Sequence, residues 1–530
     1  MLRARARREK LEIRDNKVGE VTGEQMDFKK EIGSFRIEEE PEKAPEAKPK
    51  KEKPARRVKQ KKQPRKLPLW LAILLLGIAY AITVVCTVLF LKSIGQADLT
   101  AVGAAVVLLV GFGAFFMYIV LRKRELITNV RQTLLICVLM LAAVLPQLIT
   151  MQINIGFMPF MLAILLLALM SNERVAILAG LPVAASAAMI AEAMGQGEGI
   201  PAALMLAVMV ASIASVLSLN LSKTRSSTVI ASGVGGVIAV ICFAGTMLIC
   251  GETFLNYWQT LLWILGSCLV SGILAVGLMP IFETAFDIAS DARLNELLNN
   301  NNPLIKRLML EAPGTYHHSL IVAALAEAAA EEIGANALLC RVCACYHDVG
   351  KLRAPLYFKE NQHGRNIHDE LDPYESAKAI TAHVTDGVVL LEKYKLPGEV
   401  VRIVSEHHGD SVMVYFYDKA RKQAPEGTEV DEKLFRYQSN KPTTKESAIL
   451  MLADCCEAAV RSMTNPTMME VRQRVGDVIT HKWDKRGSML WNSPLTFVDV
   501  KKIERSFLKT FAALYHERIE YPDLEDIDVR

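Results

Sequence analysis

Eight apolar stretches, most near the ~20 residues that a membrane-spanning helix needs, occupy Leu67 to about Phe286 and dictate a polytopic helical bundle for that part of the chain. They fall at roughly 68–91, 99–121, 132–151, 156–171, 174–194, 201–221, 228–250 and 260–282. The fourth is short and the fifth rich in Ala, so these two also read as a single hairpin or a re-entrant pair. Loop charge decides the topology. Under the positive-inside rule, eight spans place Arg122, Lys123, Arg124, Arg131, Arg174, Lys223 and Arg225 on the cytoplasmic side, with Lys92 alone on the other, at a helix end where it can snorkel. Both termini then face the cytoplasm, and the chain is expected to be a multi-pass membrane protein. The external loops, such as "SIGQADL" and "GQGEGI", are short. Gln147 and Glu192 inside the spans either line a ligand cleft or serve packing and interfacial positions; "GVGG" at Gly233 to Gly236 reads as close helix packing.

Residues 1–66 are rich in Lys, Arg, Glu and Pro, a composition that buries too little apolar surface to offset chain entropy, and read as a disordered basic tail. From Lys48 to Lys66 there are eleven basic residues against one acidic, Glu52. This run serves as a topology signal and offers a surface for anionic lipid. The net charge of only +4 gives no global field for a nucleic-acid polymer. Nothing in the sequence fixes an oligomeric state.

Residues 287–530 read as a second, all-α domain. Stretches such as "SLIVAALAEAAAEEI", "ALLCRVCACYHDVGK" and "KESAILMLADCCEAAVRSM" repeat apolar residues at threes and fours, and Gly334 and Asn336 mark a helix stop and a fresh start. Cys340, Cys343, Cys345, Cys455 and Cys456 lie in apolar helical settings and read as small buried thiols. All ten histidines lie between His317 and His516, which places any proton-transfer or metal chemistry in this region.

Six groups stand apart there: His317-His318, His347-Asp348, His383, His407-His408, Asp454, and the basic residues Lys351 and Arg461. Imidazoles and carboxylates without thiolate suit Fe or Mn. Successive helical residues point about 100° apart, so His347 and Asp348 both reach a metal only at a helix end or in a groove. A carboxylate can bridge two metals, and a pair about 3.5–4 Å apart clamps a phosphate and supplies a hydroxide nucleophile. Lys351, three residues past Asp348, is expected close to the same helix face, beside a phosphate oxygen.

The pattern His318, His347-Asp348 and Asp454 resembles the HD-domain metal-dependent phosphohydrolases. The stretches "LMLEAPGTYHHSLIVAALAEAAAEEIGANALLCRV", "YHDVGKLRAPLYFKENQ", "HVTDGVVLLEKYKLP", "SEHHGDSVMVYFYDKA" and "YHERIEYP" are similar to the bacterial membrane-anchored 7TM-HD family, whose characterised members hydrolyse cyclic di-AMP. The resemblance implies two divalent transition metals, one held by His318, His347, Asp348 and Asp454 and the other by Asp348, His383, His407 and His408. It implies a hydroxide that attacks phosphorus in line with the leaving 3′ oxygen and yields linear pApA. Asp348 and Lys351 are then the catalytic residues, and Lys351 and Arg461 the substrate contacts. Two departures stand out. Only "KSIGQADLT" or so separates the first span from the next seven, where family members carry a large extracellular domain, and Asp410 in "HHGDS" takes the place of an expected Thr.

Two other readings stay open. One is an HD phosphohydrolase acting on cyclic di-GMP or other nucleotides, although the Gly-Tyr-Pro signature of the cyclic di-GMP subgroup is absent. The other is a membrane receptor or transporter whose HD domain only binds nucleotide.

Overall fold

The computed structural model describes residues 67–219, 225–362, 364, 366–483, 488–491 and 493–514. The basic tail, Lys223, His363 and the "YHERIEYP" stretch with His516 lie outside the described residues. Eight apolar helices follow one another: α1 Leu69–Ser93, α2 Asp98–Arg122, α3 Val130–Ile153, α4 Phe160–Met170, α5 Glu173–Ala193, α6 Ile200–Leu219, α7 Arg225–Ile249 and α8 Phe254–Phe286. Among the described residues seven are long and apolar enough to cross a membrane, and the exception is α4. This corrects the eight-span expectation at the fourth stretch. Its 11 residues rise about 16 Å against a hydrocarbon core of about 30 Å.

The chain nevertheless returns from one end of the bundle to the other through that stretch. Leu67 N donates to Thr128 O at 2.6 Å, and the Gln132 side chain to Met170 O at 3.3 Å, so the start of α1, the start of α3 and the end of α4 share one end. The Gln96 side chain donates to Ala193 O at 2.6 Å at the opposite end. Residues 154–159 complete the passage without helix. Irregular backbone is tolerated at that depth only inside protein, and Ile155, Gly156 and Met158 are buried. Gly156 N donates to Asn154 Oδ1 at 2.9 Å, and Phe157 N to Asn154 O at 2.8 Å. A Cβ on Gly156 would lie 2.4 Å from Thr260 O, so only glycine lets the turn lie against α8.

Gln147 is buried, donating to Ala143 O at 2.8 Å and accepting from Ser186 Oγ at 3.2 Å, whereas Glu192 is exposed near the end of α5. Both therefore follow the packing and interfacial alternative. Gly235 and Gly236 sit where a Cβ would meet Ser215 Oγ at 1.9 Å and Cys268 Cβ at 3.0 Å, the close helix approach expected of "GVGG".

The second part is helical as expected, with one isolated bridge, Val412 to Arg436, among the described residues. Its helices are α9 Asp291–Leu297, α10 Pro303–Glu311, α11 Pro313–Glu332, α12 Ala337–Tyr346, α13 Pro373–Lys393, α14 Gly398–Glu406, α15 Val414–Gln423, α16 Lys445–Arg461, α17 Met468–Trp483 and α18 Phe497–Leu514. Gly334, at φ +66°, follows α11, and the Asn336 side chain caps α12 by accepting from Leu339 N at 3.0 Å. Thr444 and Ser447 form a reciprocal capping box at the start of α16. The six residues Ala448 to Ala453 are fully buried, so α16 is enclosed on all sides, packing on α11, α12, α14 and α17. Cys340, Cys343, Cys345 and Cys456 are free thiols inside this core.

Candidate metal centre

Five elements deliver the ligand-type side chains. Helix α11 presents His318, which is buried, while its neighbour His317 is exposed on the other face. Helix α12 stops at Tyr346, so His347 and Asp348 sit at its end, where the next residues tighten into a 3₁₀ turn, Val349–Arg353. Helix α13 brings His383, α14 runs out into His407 and His408, and α16 brings Asp454.

The rings form two facing groups, His318, His347 and Asp348 in one, and His383, His407 and His408 in the other, each with a set of donor atoms within 4.8 Å of one another. Asp348 stands between them. Its Oδ2 lies 3.1 Å from His347 Nε2 and 3.6 Å from His318 Nε2, and its Oδ1 lies 3.3 Å from His383 Nε2 and 4.0 Å from His407 Nε2. Asp454 closes the first group at 3.1 Å from His318 Nε2 and approaches His408 Nδ1 at 3.6 Å.

Backbone geometry fixes which ring nitrogen faces inward. The Nδ1–H groups of His347, His383 and His407 donate to Ala344 O, Ile380 O and Val404 O at 2.8, 2.6 and 2.6 Å, each three residues back. Their Nε2 atoms thereby face inward, where a metal would take the place of any proton they carry. His347 Nε2 and Asp348 Oδ1 are buried with no hydrogen-bond partner, and the Nε2 atoms of His383 and His407 face each other at 3.4 Å. Orphaned acceptors and opposed lone pairs in a buried site fit a cation between them. The nitrogen and oxygen donor set without thiolate fits a borderline divalent metal.

Electrostatics divide the site. Burial disfavours charge on every ring. For His318 the carboxylates of Asp454 and Glu457 outweigh it and raise the pKa, and Asp348 and Asp454 do the same for His347, to about 10. Burial and the neighbouring imidazoles hold His407 down at about 3 and keep His408 low, and burial also keeps His383 low. Asp348 and Asp454, although buried, are held well below the usual carboxylate range by the surrounding cationic groups, led by His347 for Asp348 and by His318 for Asp454.

Lys351 follows in the 3₁₀ turn rather than in a continuing α-helix. Residues three apart eclipse in that geometry, and its ammonium lies 2.8 Å from Asp348 Oδ2 and 2.6 Å from Glu360 Oε1, 4.8 Å from the Phe358 ring centroid. Arg461 lies on Glu457, 3.3 Å away, with its side chain 41% exposed. Asp410 is half-exposed, 3.8 Å from Lys441, and its carbonyl accepts from Arg436 at 2.7 Å. His368 is a structural histidine, its Nε2–H donating to Tyr357 O at 2.7 Å.

Three residues at the site were not legible in the sequence. Glu457 accepts from His318 Nδ1 at 2.5 Å, and its spacing of three from Asp454 is the one signal that could have found it. Glu360 reaches Lys351 from a short 3₁₀ turn, Lys359–Asn361. Tyr437, brought in beside the Val412–Arg436 bridge, lies against His408 with ring centroids 4.3 Å apart.

Comparison with known proteins places these features together. The family described as "7TM receptor with intracellular HD hydrolase" matches residues 98–290, and the HD domain matches residues 315–459. A seven-helix part and an HD part thus match one after the other along the same chain. The first match begins at α2, so the seven helices that it spans include the short α4 and exclude α1. The second covers every ligand-type residue from His318 to Asp454. The chain is 38% identical over 378 residues to the cyclic-di-AMP phosphodiesterase PgpH of Bacillus subtilis, covering 70% of this chain and 52% of that protein. It is 36% identical over 379 residues to PgpH of Listeria monocytogenes, covering 70% and 51%. It thus spans about half the length of the curated relatives it matches. The crystal structure of the L. monocytogenes PgpH HD domain in complex with cyclic-di-AMP is similar at 41% identity, covering 41% of this chain and all of that one, with a TM-score of 0.39.

Proposed function

We propose that this chain is a metal-dependent phosphodiesterase that opens cyclic di-AMP to linear pApA. The observation that carries the reading is Asp348, buried between two histidine groups with one carboxylate oxygen toward each. His318, His347, Asp348 and Asp454 would hold one metal, and Asp348, His383, His407 and His408 the other, with Fe or Mn as the ions suited to the donor set. Such a pair, when bound, activates water at neutral pH and neutralises phosphate charge.

The chain's own residues do the rest. Nδ1–H anchors hold the rings of His347, His383 and His407 with Nε2 inward, and Glu457 holds His318 the same way. Lys351 is kept protonated by Asp348 and Glu360 against the cost of burial, and it is the fixed cation beside the centre for a non-bridging phosphate oxygen. Arg461, reaching from Glu457 toward solvent, is the second candidate for a substrate phosphate. The names of the relatives support the adenine dinucleotide over cyclic di-GMP, as does the missing Gly-Tyr-Pro signature.

In this reading the chain divides at Asp287, with the membrane part at residues 67–286 and the hydrolase part from residue 287 onward. Positive residues at the end of the bundle shared with the hydrolase part support both termini in the cytoplasm of a bacterial plasma membrane, with the basic tail near anionic lipid.

The purified full chain, loaded with Mn²⁺ or Fe²⁺ and given cyclic di-AMP or cyclic di-GMP, tests the reading, with Asp348→Ala as control. Linear product from cyclic di-AMP in the wild type alone supports it. Turnover of cyclic di-GMP instead, or of neither with metal bound, contradicts it.

A further inference from the structure

The last membrane helix is physically joined to a ligand-bearing helix of the metal centre. Helix α8 has 33 residues, about 50 Å of helix, which outruns a hydrocarbon core of about 30 Å. It ends at Asp287, whose backbone is left-handed at φ +50°. The Asp287 carboxylate is shared. Its Oδ2 pairs with the Arg131 guanidinium at the start of α3, and its Oδ1 accepts from Gly398 N at 2.8 Å, at the first residue of α14. A Cβ on Gly398 would lie 2.5 Å from Asp287 Oδ2, so the close seat on that helix end requires glycine.

Helix α14 is nine residues long and its far end delivers His407 and His408. Val400, Val401, Ile403 and Val404 pack it into the core, so it moves as one rod of about 13 Å. The turn before it is also gripped, since Arg293 donates to Lys395 O at 2.8 Å. Arg225, at the start of α7, holds Glu296 of α9 at 2.6 Å and Glu283 of α8 at 3.5 Å. Helix α9, tied to the bundle by that Glu296 ion pair, joins the other half. Its Ala292 belongs to the bundle core, its Leu294 to the hydrolase core, and Leu297 O accepts from the Tyr346 hydroxyl at 2.7 Å.

The contrast between the two attachments is chemical. The α12 end, which carries His347, is held by a neutral bond inside the core, whereas the α14 end is held by a carboxylate whose other oxygen belongs to a membrane-helix arginine. A change in the packing of α3 against α8 therefore reaches α14 through the shared Asp287 carboxylate.

We propose that Asp287 is a positioning residue for the His383, His407 and His408 half of the metal centre, and that the membrane helices, through Arg131, set how tightly that half holds its metal. The proposal rests on the two-metal reading above.

Mn²⁺ titration into the metal-free full chain in lipid nanodiscs tests it, with Arg131→Gln, Asp287→Asn, Asp287→Ala and the Arg131→Gln/Asp287→Asn pair beside wild type. Asn keeps an acceptor for Gly398 N and loses the charge for Arg131. The expected result is two Mn²⁺ per wild-type chain and a second affinity weakened about tenfold in both single-charge variants, with the first unchanged. The pair should be no worse than either single variant, because both act on one contact. Asp287→Ala should be weakest, and excess Mn²⁺ should restore its turnover. Equal loss of both affinities in proportion to lowered thermal stability would mark Asp287 as merely structural and overturn the proposal. Two unchanged affinities in every variant would also overturn it while leaving the two-metal reading intact. A wild type that binds fewer than two ions would overturn both.

Discussion

His318 turns its Nδ1 to Glu457 Oε2 at 2.5 Å, so that its Nε2 faces Asp454 Oδ1 at 3.1 Å. A carboxylate behind a ligating imidazole fixes the tautomer and raises the basicity of the inward nitrogen. Glu457→Gln keeps the shape and removes that push. Metal affinity is expected to fall by about 10–100-fold, read by Mn²⁺ titration, with the helical circular dichroism unchanged.

Lys351 is held by Asp348 on one side and by Glu360 on the other. Lys351→Gln should lower kcat on a cyclic dinucleotide by about 10²–10³-fold with a smaller change in KM, the loss typical of a group aimed at transition-state charge.

Glu360 carries a pH signature. Burial opposes its charge, Lys351 outweighs burial, and its pKa is lowered. A carboxyl with a lowered folded pKa contributes stability that is fully present above its unfolded value of about 4.3 and is lost as pH falls through the folded value. Wild type is therefore expected to lose more stability than Glu360→Gln on acidification below about pH 4.3, followed by thermal unfolding across that range.

Gly350 of the "YHDVGK" stretch packs the 3₁₀ turn onto α13. A Cβ there would lie 1.8 Å from His383 O and 2.5 Å from Gly387 N. Gly350→Ala must push α13 away, taking His383 from its 3.3 Å approach to Asp348. The expected cost is about 1–3 kcal/mol of stability, with loss of one of the two bound metals, checked by denaturant unfolding and by metal analysis.

The cysteines offer a test of burial. Cys340, Cys343 and Cys456 have thiols pushed well above the usual range, first by burial, whereas Cys250 is exposed at the end of α7. A maleimide should label Cys250 in the folded chain and reach the other three only after unfolding, because the thiolate is the reactive form.

The helices of the bundle were legible because the length of an apolar run is set by the bilayer, and only α4 broke the rule, shortened by the turn at Asn154 to Pro159 that is held together by side chains of its own and of α8. His347, His383, His407 and Asp454 were legible as residue types on successive helices. The choice of His318 over His317 came from the family resemblance and not from spacing, since it depends on which face of α11 meets α16. Glu457 and Tyr437 act through neighbours distant in sequence, and Glu360 meets Lys351 only because successive 3₁₀ turns fold the segment back. Lys351 was expected on a continuing α-helix and instead occupies a 3₁₀ turn, which brings it closer to Asp348.

Asp348 offers the most direct test, because it turns one carboxylate oxygen toward each of the two histidine groups. Asp348→Asn keeps the size of the side chain and removes its charge and one carboxylate oxygen. Bound Mn²⁺ per chain and turnover of cyclic di-AMP would be measured on the same preparation of wild type and variant. Wild type is expected to bind two ions and form linear pApA, and the variant to bind fewer ions and form no product. A variant that keeps both ions and hydrolyses cyclic di-AMP at the wild-type rate would contradict this expectation.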